Sequence, residues 1–342
     1  MRIPPVSTTP RRSGPEGDDL LRQLGDRVVG QSHAMAQIVP YIHMHQAGLA
    51  PEGRPAGVFL LLGPTGTGKT RTVEALAEIL HRSPRNVLKI DCGEFQMEHE
   101  VAKLIGAPPG YLGHRETQPL LTQQKLTAVT TEGCNLSLVL FDEIEKAAAS
   151  MTRILLSVLD KATLRLGDNT TVNFERTMIF LTSNLGTKAM RKEIHPEFGF
   201  ESLLPPQRRD IARKLERIGK NAVRRKFSPE FVNRIDAVIT YLPLDNTSLA
   251  AIVDQQIVDL ERHIQVRLMD RAFELEVSAE ARRFLLEKGT SEEYGARELK
   301  RTILRKLTQP LAAMLTEGLI EPGDVVRAEP SGDGEWLSLV AE

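Results

Sequence analysis

Residues 57–70 read GVFLLLGPTGTGKT, a continuous apolar run that leads into the pattern G-x-x-x-x-G-K-[ST]. Apolar residues at helical spacing follow over 70–80, so the pattern lies between a predicted strand and a predicted helix, which argues against a chance glycine turn. Glycines let such a loop curl until successive N–H groups face a phosphate, and the following helix adds its positive N-terminal end. We therefore predict a phosphate-binding loop. Its predicted nucleotide ligands are Gly63, Pro64, Thr65, Gly66, Thr67, Gly68, Lys69 and Thr70.

Charged and hydroxyl side chains in this loop and after a later strand have separate predicted roles in binding phosphate, binding metal and activating water. Lys69 is expected to bring a positive charge to the β- and γ-phosphates, and the Thr70 hydroxyl to ligate Mg²⁺. Two adjacent acids, Asp142 and Glu143, end the apolar run LSLVLFDE (136–143), at the strand end where parallel sheets bind ligands. We predict that Asp142 holds the magnesium shell and that Glu143 orients and deprotonates the attacking water. For this segment taken alone, a pair of solvated acids that cap the next helix is the alternative.

A third polar group ends another buried run. The run TMIFLTSN (177–184) places Thr182 and Asn184 at its carboxyl end. A neutral amide can hydrogen-bond both a water molecule and the γ-phosphate, so Asn184 is a candidate for positioning the water. A Ser-Asn pair before glycine also makes ordinary turns, so this segment is weak evidence by itself.

The pattern of apolar runs predicts the fold class. Besides 57–63, strand-like runs occur at 86–91, 136–143 and 177–184, and the central ones are apolar on both faces. Strands of this kind, separated by helices, indicate a parallel sheet covered by helices on both sides. The fold class is therefore α/β, with the sheet in a large domain over residues 19–243.

The two ends of the chain differ from this large domain. Residues 244–342 predict a second, mostly helical domain, because a long amphipathic helix is followed by strand-like runs at 273–277, 324–329 and 336–340. The first 18 residues are rich in Pro, Ser, Thr, Gly and Arg, and we predict a disordered leader there.

Composition excludes several classes of protein. The 342 residues carry 44 basic and 45 acidic side chains, a formal net charge of −1 that attracts neither nucleic acid nor an anionic membrane. No apolar run approaches the ~18 residues of a membrane span. Only two cysteines occur, Cys92 and Cys134, which excludes a disulfide framework and argues against zinc. A cytoplasmic protein is the expectation.

Seven motifs, in their order along the chain, resemble the AAA+ module of Clp-type protein unfoldases. They are RVVGQ (27–31), GPTGTGKT (63–70), GAPPGYLG (106–113), LFDEIEKA (140–147), FLTSNLG (180–186), FSPEFVNRID (227–236) and EYGARELKR (293–301). The resemblance is greatest to the second ATPase module of ClpB, ClpC and ClpA, and it covers about residues 20–342. GPTGTGKT alone indicates a P-loop NTPase, whereas GAPPGYLG together with PEFVNRID is far more specific.

This resemblance implies a five-stranded parallel sheet, a small helical lid domain and a homohexamer that binds ATP and Mg²⁺ at each subunit interface. It makes Arg234 the arginine finger that reaches the γ-phosphate held by the neighbouring subunit. Arg297 matches the second sensor, which contacts nucleotide in its own subunit. Taken alone, either arginine is equally well a solvated surface residue. Val28 and Val29 match the segment that sandwiches the adenine.

The resemblance also implies an ATP-dependent unfoldase that threads unfolded or tagged protein substrates through a central pore. Tyr111 and Leu112 match the pore loop that grips polypeptide, and a locally packed tyrosine is the alternative. Phe198, Gly199 and Phe200 match imperfectly a tripeptide that docks on the ClpP peptidase. An ordinary hydrophobic turn explains that tripeptide equally simply.

Two functions of other classes stay open. One is a nucleic-acid remodelling motor, supported only by the basic segment 207–226, which lacks aromatic residues for base stacking. The other is an assembly or regulatory ATPase that holds one partner without threading it.

The chain also departs from the family. One phosphate loop predicts that the first ATPase ring is missing, and neither a coiled-coil middle domain nor a receptor domain is expected. Ala147, Ala148 and Ala149 stand where a His-Pro pair is usual, so the next helix should start differently.

Overall fold

The computed structural model describes residues 15–106, 119–194, 208–291, 295–332 and 334–342. Across these ranges no helix is both long enough and apolar enough to cross a bilayer. The strands of the described chain are β1 (Gly57–Leu62), β2 (Leu88–Asp91), β3 (Ser137–Asp142), β4 (Thr163–Arg165), β5 (Thr171–Asn173), β6 (Thr177–Ser183), β7 (Ala237–Thr240), β8 (Glu274–Val277), β9 (Val325–Pro330) and β10 (Leu337–Ala341).

Helices connect these strands and flank them. They are α1 (Pro15–Arg27), α2 (Ser32–Gln46), α3 (Lys69–His81), α4 (Val101–Ile105), α5 (Gln123–Ala128), α6 (Ala149–Lys161), α7 (Thr187–Ile194), α8 (Arg208–Lys226), α9 (Pro229–Val232), α10 (Asn246–Leu268), α11 (Ala279–Gly289), α12 (Ala296–Ile303) and α13 (Gln309–Thr316). One turn of π-helix joins α12 to α13.

A five-stranded sheet in the order β2-β3-β6-β1-β7 confirms the predicted fold class. The pairs β2–β3 and β3–β6 are parallel. Backbone hydrogen bonds just outside the strands indicate that β6 and β1, and β1 and β7, also run parallel. Ala56 and Gly63 donate to Thr177 and Ser183 at the two ends of β6, and Tyr241 donates to Leu62 at the end of β1. The carboxyl ends of β1, β3 and β6 therefore lie at one edge of the sheet.

The predicted strand at 57–63 forms because its side chains pack on both faces. Every residue of β1 and β6 is buried. Phe59 packs edge-on against Tyr41 of α2 (ring centroids 5.0 Å apart) and stacks on Phe180 of β6 at 5.4 Å. Such pairs add to the free energy gained by burying the rings, so the strand before the phosphate loop is firmly anchored.

Packing contacts divide the chain into two compact units. The first comprises Met1–Leu60, Thr70–Thr182 and Phe227–Ile239, and the second comprises Leu61–Lys69, Ser183–Lys226 and Thr240–Glu342. The phosphate loop thus groups with the C-terminal part of the chain. The predicted domain boundary between 243 and 244 stays a prediction.

Beyond residue 244, the second unit has a core of its own. Its helices α10, α11 and α12 pack with a three-stranded sheet in the order β10-β9-β8, around buried residues such as Ile257, Leu285 and Val326. The carboxylate of Asp245 caps α10 and the hydroxyl of Ser278 caps α11, each by accepting a backbone N–H of the first turn. The three strand-like runs predicted here occur within one residue of their expected positions.

The predicted disordered leader needs a correction at its end. Residues 1–14 lie outside the described part, but α1 begins at Pro15, so the last four residues of the predicted leader are helical. Proline is well tolerated in the first turn of a helix, because its missing N–H has no partner there. Asp19 and Arg22 also pair along the helix at 2.7 Å, which supports an early start.

Candidate functional site

The loop between β1 and α3 has a backbone that depends on glycine. Gly66 and Gly68 have φ values of +77° and +100°. At Gly63 a Cβ atom would lie 2.6 Å from the carbonyl oxygen of Tyr241, so no side chain fits. Because α3 begins at Lys69, the loop leads directly into a helix N-terminus. A glycine loop that leads into a helix N-terminus suits a phosphate group, and phosphate binding by these residues stays a prediction.

Two predicted site residues meet in this loop. The Lys69 side chain is buried, and its ammonium donates to the carbonyls of Gly63 (2.6 Å) and Pro64 (2.9 Å). It also donates to Oδ1 of Asn184 at 3.0 Å. The structure thus brings the lysine of the phosphate loop and the amide after β6 into direct contact, although 115 positions separate them in the chain.

The two acids lie on a strained turn at the end of β3. Asp142 ends the strand and Glu143 has a left-handed backbone with φ +55°. The hydroxyl of Thr182 donates to the carboxylate of Asp142 and accepts the N–H of Glu143 at 3.0 Å. Sequence reasoning gave Thr182 no role. The contact depends on β6 and β3 being neighbours in the sheet, which no local sequence pattern indicates.

A lysine that the sequence analysis did not consider contacts Glu143. A 3-10 turn, Ile144–Lys146, follows Glu143 and brings the ammonium of Lys146 to its carboxylate. The hydrogen bond with this carboxylate raises the pKa of Lys146 above its ordinary value, so the lysine stays charged. The spacing of three residues in a helical turn could have indicated this pair.

The start of α6 is the place where alanines replace the usual His-Pro pair. Ala148 occupies the N-cap position and has no side chain that accepts a backbone N–H. Its own N–H donates to the carbonyl of Phe95 at 2.8 Å, and the N–H of Ser150 lies 3.4 Å from the carboxylate of Glu98. Another segment of the same unit therefore satisfies the first turn of α6.

The metal-binding set is small. Within the described ranges, no cluster of three or more His, Cys, Asp or Glu side chains can hold a metal ion. The predicted set is instead the hydroxyl of Thr70 with the carboxylate of Asp142. Two oxygen ligands suit Mg²⁺, which usually keeps several waters and binds substrate phosphates.

The thiol next to the acids is inert. Cys92 is fully buried just after β2, and burial, together with the negative charge of Asp142, strongly raises its pKa. It forms no disulfide bond, and neither does Cys134. The thiol of Cys92 is therefore protonated at neutral pH and supplies neither a nucleophile nor a metal ligand.

Arg234 lies just after α9 and contacts acids of its own unit. Its guanidinium donates to the carbonyl of Glu230 at 2.8 Å and pairs with the carboxylates of Glu230 (3.1 Å) and Asp160 (3.5 Å). The side chain is 21% exposed, and its Nε is buried without a hydrogen-bond partner in the described structure. Its role as an arginine finger stays a prediction.

Arg297 is exposed on the first turn of α12. The N–H of Ala296, the residue before it, donates to the carbonyl of Gly66 at 3.3 Å. This contact brings the start of α12 onto the phosphate loop. The role of Arg297 as a sensor stays a prediction.

The predicted adenine segment is a turn between α1 and α2. Val28 is buried and Val29 is half-buried. Next to them, Arg27 pairs with Glu78 of α3 at 3.5 Å, and Arg71 pairs with the same carboxylate at 3.7 Å. The turn is thereby linked to the helix that follows the phosphate loop.

Five predicted residues lie outside the described ranges: Tyr111, Leu112, Phe198, Gly199 and Phe200. The residues on either side of the segment 107–118, which contains Tyr111, are described. The N–H groups of Leu120 and Leu121 each donate to the carbonyl of Leu104 at 3.2 Å, and Gly167 donates to Ile105 at 2.8 Å. The described residues before and after this segment are therefore hydrogen-bonded to each other.

Comparison with family profiles shows to which family this chain belongs. The family profile described as AAA domain (Cdc48 subfamily) matches residues 54–238, more than half of the chain. The chain belongs to this AAA family. Proteins of the family are ATPases that use ATP with Mg²⁺. A second profile, the C-terminal D2-small domain of ClpB protein, matches residues 244–328 of the AAA chain.

Curated relatives agree with these profiles. The AAA chain is 39% identical over 323 residues to the chaperone protein ClpB of Rhodopseudomonas palustris, and 37% identical over 321 residues to that of Corynebacterium efficiens. These matches cover 93% and 94% of this chain but 34% of each relative. The chain thus spans about a third of the length of the curated relatives it matches.

Solved structures share the fold. The AAA chain resembles Hsp104 in the closed state with ATPγS and FITC-casein, with a TM-score of 0.77, and the Saccharomyces cerevisiae Hsp104–casein complex in its extended conformation, with a TM-score of 0.79. Both are 27% identical to it, and each match covers 96% of this chain and 53% of Hsp104.

Proposed function

We propose that this chain hydrolyses ATP in a ring and uses the energy to thread and unfold polypeptide. The observation that carries the proposal is the set of polar groups that follow the strands at the carboxyl edge of the sheet. The phosphate loop follows β1, the acids follow β3 and Asn184 follows β6, and Lys69 contacts Asn184. A site with a phosphate cradle, a carboxylate base and a neutral amide suits phosphoryl transfer to water.

Each group has a distinct task in the proposed reaction. The backbone N–H groups of Gly66 and Gly68 hold the phosphates, and Lys69 neutralises their charge. Thr70 and Asp142 would hold Mg²⁺, which would supply further positive charge beside the phosphates. Glu143 takes a proton from the attacking water, and the amide of Asn184 orients that water.

Two arginines complete the proposed pocket. Arg234 reaches the γ-phosphate of the neighbouring subunit, so a lone subunit is nearly inactive. Arg297 contacts the nucleotide of its own subunit. Loss of the γ-phosphate then changes both the contact between subunits and the position of α12, which is a route from hydrolysis to motion.

The proposed substrate is polypeptide. Tyr111 and Leu112 grip an extended chain, and Leu104 and Leu120, which flank their segment, are hydrogen-bonded to each other. The likeness to Hsp104, solved with casein, supports this choice. The absence of disulfide bonds at both cysteines suits a reducing, cytoplasmic setting. Docking of a ClpP-like peptidase through Phe198, Gly199 and Phe200 stays a prediction.

The proposal is tested by ATP hydrolysis and by unfolding of a tagged, folded reporter. The Tyr111→Ala variant should hydrolyse ATP at the basal rate and lose unfolding, whereas the exposed control Leu49→Ala should keep both activities. Unchanged unfolding by Tyr111→Ala would overturn threading and favour an ATPase that only holds a partner. Stimulation by DNA rather than by unfolded protein would favour a nucleic-acid motor.

A further inference from the structure

Backbone atoms at the start of α12 contact the phosphate loop. Besides the bond from the Ala296 N–H to the Gly66 carbonyl, Gly295 comes very close to the loop. A Cβ atom on Gly295 would lie 3.3 Å from the carbonyl oxygens of both Thr65 and Gly66. Gly295 also has φ +50° and ψ −137°, a conformation that other residues rarely adopt. A side chain at this position would therefore combine a rare backbone conformation with a tight contact to both carbonyl oxygens.

We propose that Gly295 is a positioning residue. Because it has no side chain, the start of α12 can approach the carbonyl of Gly66, and this contact fixes the position of Arg297 relative to the phosphate loop. This inference rests on the proposed function, because it concerns the sensor role of Arg297. The N–H of Ala296 is one of the donors that a helix start leaves without an intrahelical partner. The phosphate loop supplies its acceptor.

The hydrogen bond between Ala296 and Gly66 makes the position of α12 depend on the conformation of the phosphate loop. Gly66 has φ +77°, so the direction of its carbonyl follows the curl of the loop. A phosphate that orders this curl also fixes the acceptor for Ala296. Arg297 follows Ala296 on the same turn, so the loop sets the place of the guanidinium even before that group contacts a phosphate.

The body of α12 transmits a shift at its start. Leu299 and Ile303 are buried in the core of the second unit. At Gly289 of α11, a Cβ atom would lie 2.6 Å from Leu299, so the two helices are in close contact. This packing limits how far α12 can shift toward α11, so a side chain added at Gly295 should move the helix start away from the loop.

The test compares two glycine variants by their affinity for ATPγS and for ADP. Gly318 is the matched control, because its φ is +73° and a Cβ there meets nothing within 4 Å. Gly295→Ala and Gly318→Ala each place a side chain on a residue with positive φ, so both should lower the thermal midpoint. Only Gly295→Ala should weaken ATPγS binding, by about fivefold or more, with ADP binding changed less than about twofold.

A second variant removes the hydrogen-bond donor itself. Ala296 is the first residue of α12, where proline is tolerated but has no N–H to donate. Ala296→Pro should therefore weaken ATPγS binding as Gly295→Ala does. Because Gly295 is proposed to act through Arg297, the Gly295→Ala change should add little to Arg297→Ala in the double variant.

Two results would overturn the inference while the proposed function stands. One is ATPγS binding by Gly295→Ala equal to that of Gly318→Ala. The other is a double variant in which the losses from Gly295→Ala and Arg297→Ala multiply. Failure of the unmodified chain to bind ATPγS would overturn the proposed function as well, so the two failures are distinguishable.

Discussion

The hydroxyl of Thr182 donates to the carboxylate of Asp142, across the neighbouring strands β6 and β3. The same oxygen accepts the N–H of Glu143, and the threonine is 1% exposed. One buried side chain therefore holds the carboxylate of the first acid and the backbone of the second. The left-handed conformation of Glu143 persists because such contacts over-determine it.

Replacing Thr182 with valine tests this relationship. The change keeps the side-chain volume but leaves the N–H of Glu143 without the hydroxyl acceptor, which should cost about 1–3 kcal/mol of folding free energy. Because both acids shift, ATP hydrolysis should fall about 10- to 100-fold. Thr182→Ser should restore most of the rate. Thr177→Val, at the equally buried other end of β6, should leave turnover unchanged, and turnover that falls equally in both valine variants would contradict the assignment.

Glu143→Gln tests the proposed base. A glutamine keeps the shape of the side chain but cannot accept the proton of water, so turnover should fall at least about 100-fold. Nucleotide affinity should persist, and the variant should retain ATP in an assembled complex. Phosphate release and retained ATP are measured together. The exposed control Glu132→Gln should behave as the unmodified chain, and undiminished turnover by Glu143→Gln would refute the assigned base.

Lys146→Met tests the ion pair beside the base. The ammonium of Lys146 occupies one oxygen of the Glu143 carboxylate and competes with the proton of the attacking water, so removing it should raise basal hydrolysis about two- to threefold. The expected change in rate is small because the ion pair is exposed, with side chains 49% and 33% accessible, and exposed pairs are weak. Turnover is measured at low and high salt, and its rise with salt should disappear in the variant. Lys220→Met, which breaks a similar pair on α8, should change nothing. Slower hydrolysis by Lys146→Met would mean that the lysine holds the base in its working position.

His81 predicts a dependence of stability on pH. The ring is buried at the end of α3, 3.0 Å from the carbonyl of Leu136, and burial lowers its pKa below the ordinary 6.5. As pH falls below about 6.5, the unfolded chain takes up a proton that the folded chain resists, so stability decreases. The slope from this group cannot exceed about 1.4 kcal/mol per pH unit.

Urea unfolding at pH 5.5 and 7.5 measures the effect. In His81→Gln the loss of stability at the lower pH should shrink, whereas the exposed control His263→Gln should leave it unchanged. An equal loss in all three proteins would show that other groups cause the dependence.

Local patterns made much of the fold and site predictable. Apolar runs placed β1, β3 and β6 within one residue, and the glycine spacing placed the phosphate loop. The β4–β5 hairpin was not predicted, because strands of three residues carry too short an alternation to be recognised. The contact of Thr182 with Asp142 depends on which strands are neighbours, and no local pattern encodes that order.

The central claim is that Arg234 of one subunit completes the pocket of the next. Alone, Arg234→Ala lacks the finger and Glu143→Gln lacks the base, so each should be nearly inactive. In mixed rings, a Glu143→Gln subunit can offer its Arg234 to the intact base of an Arg234→Ala neighbour. Random mixing makes about a quarter of the pockets complete, so equimolar mixtures should regain up to about a quarter of the normal turnover. Mixtures that co-assemble, as shown by cross-linking, yet stay as inactive as the separate variants would contradict the claim.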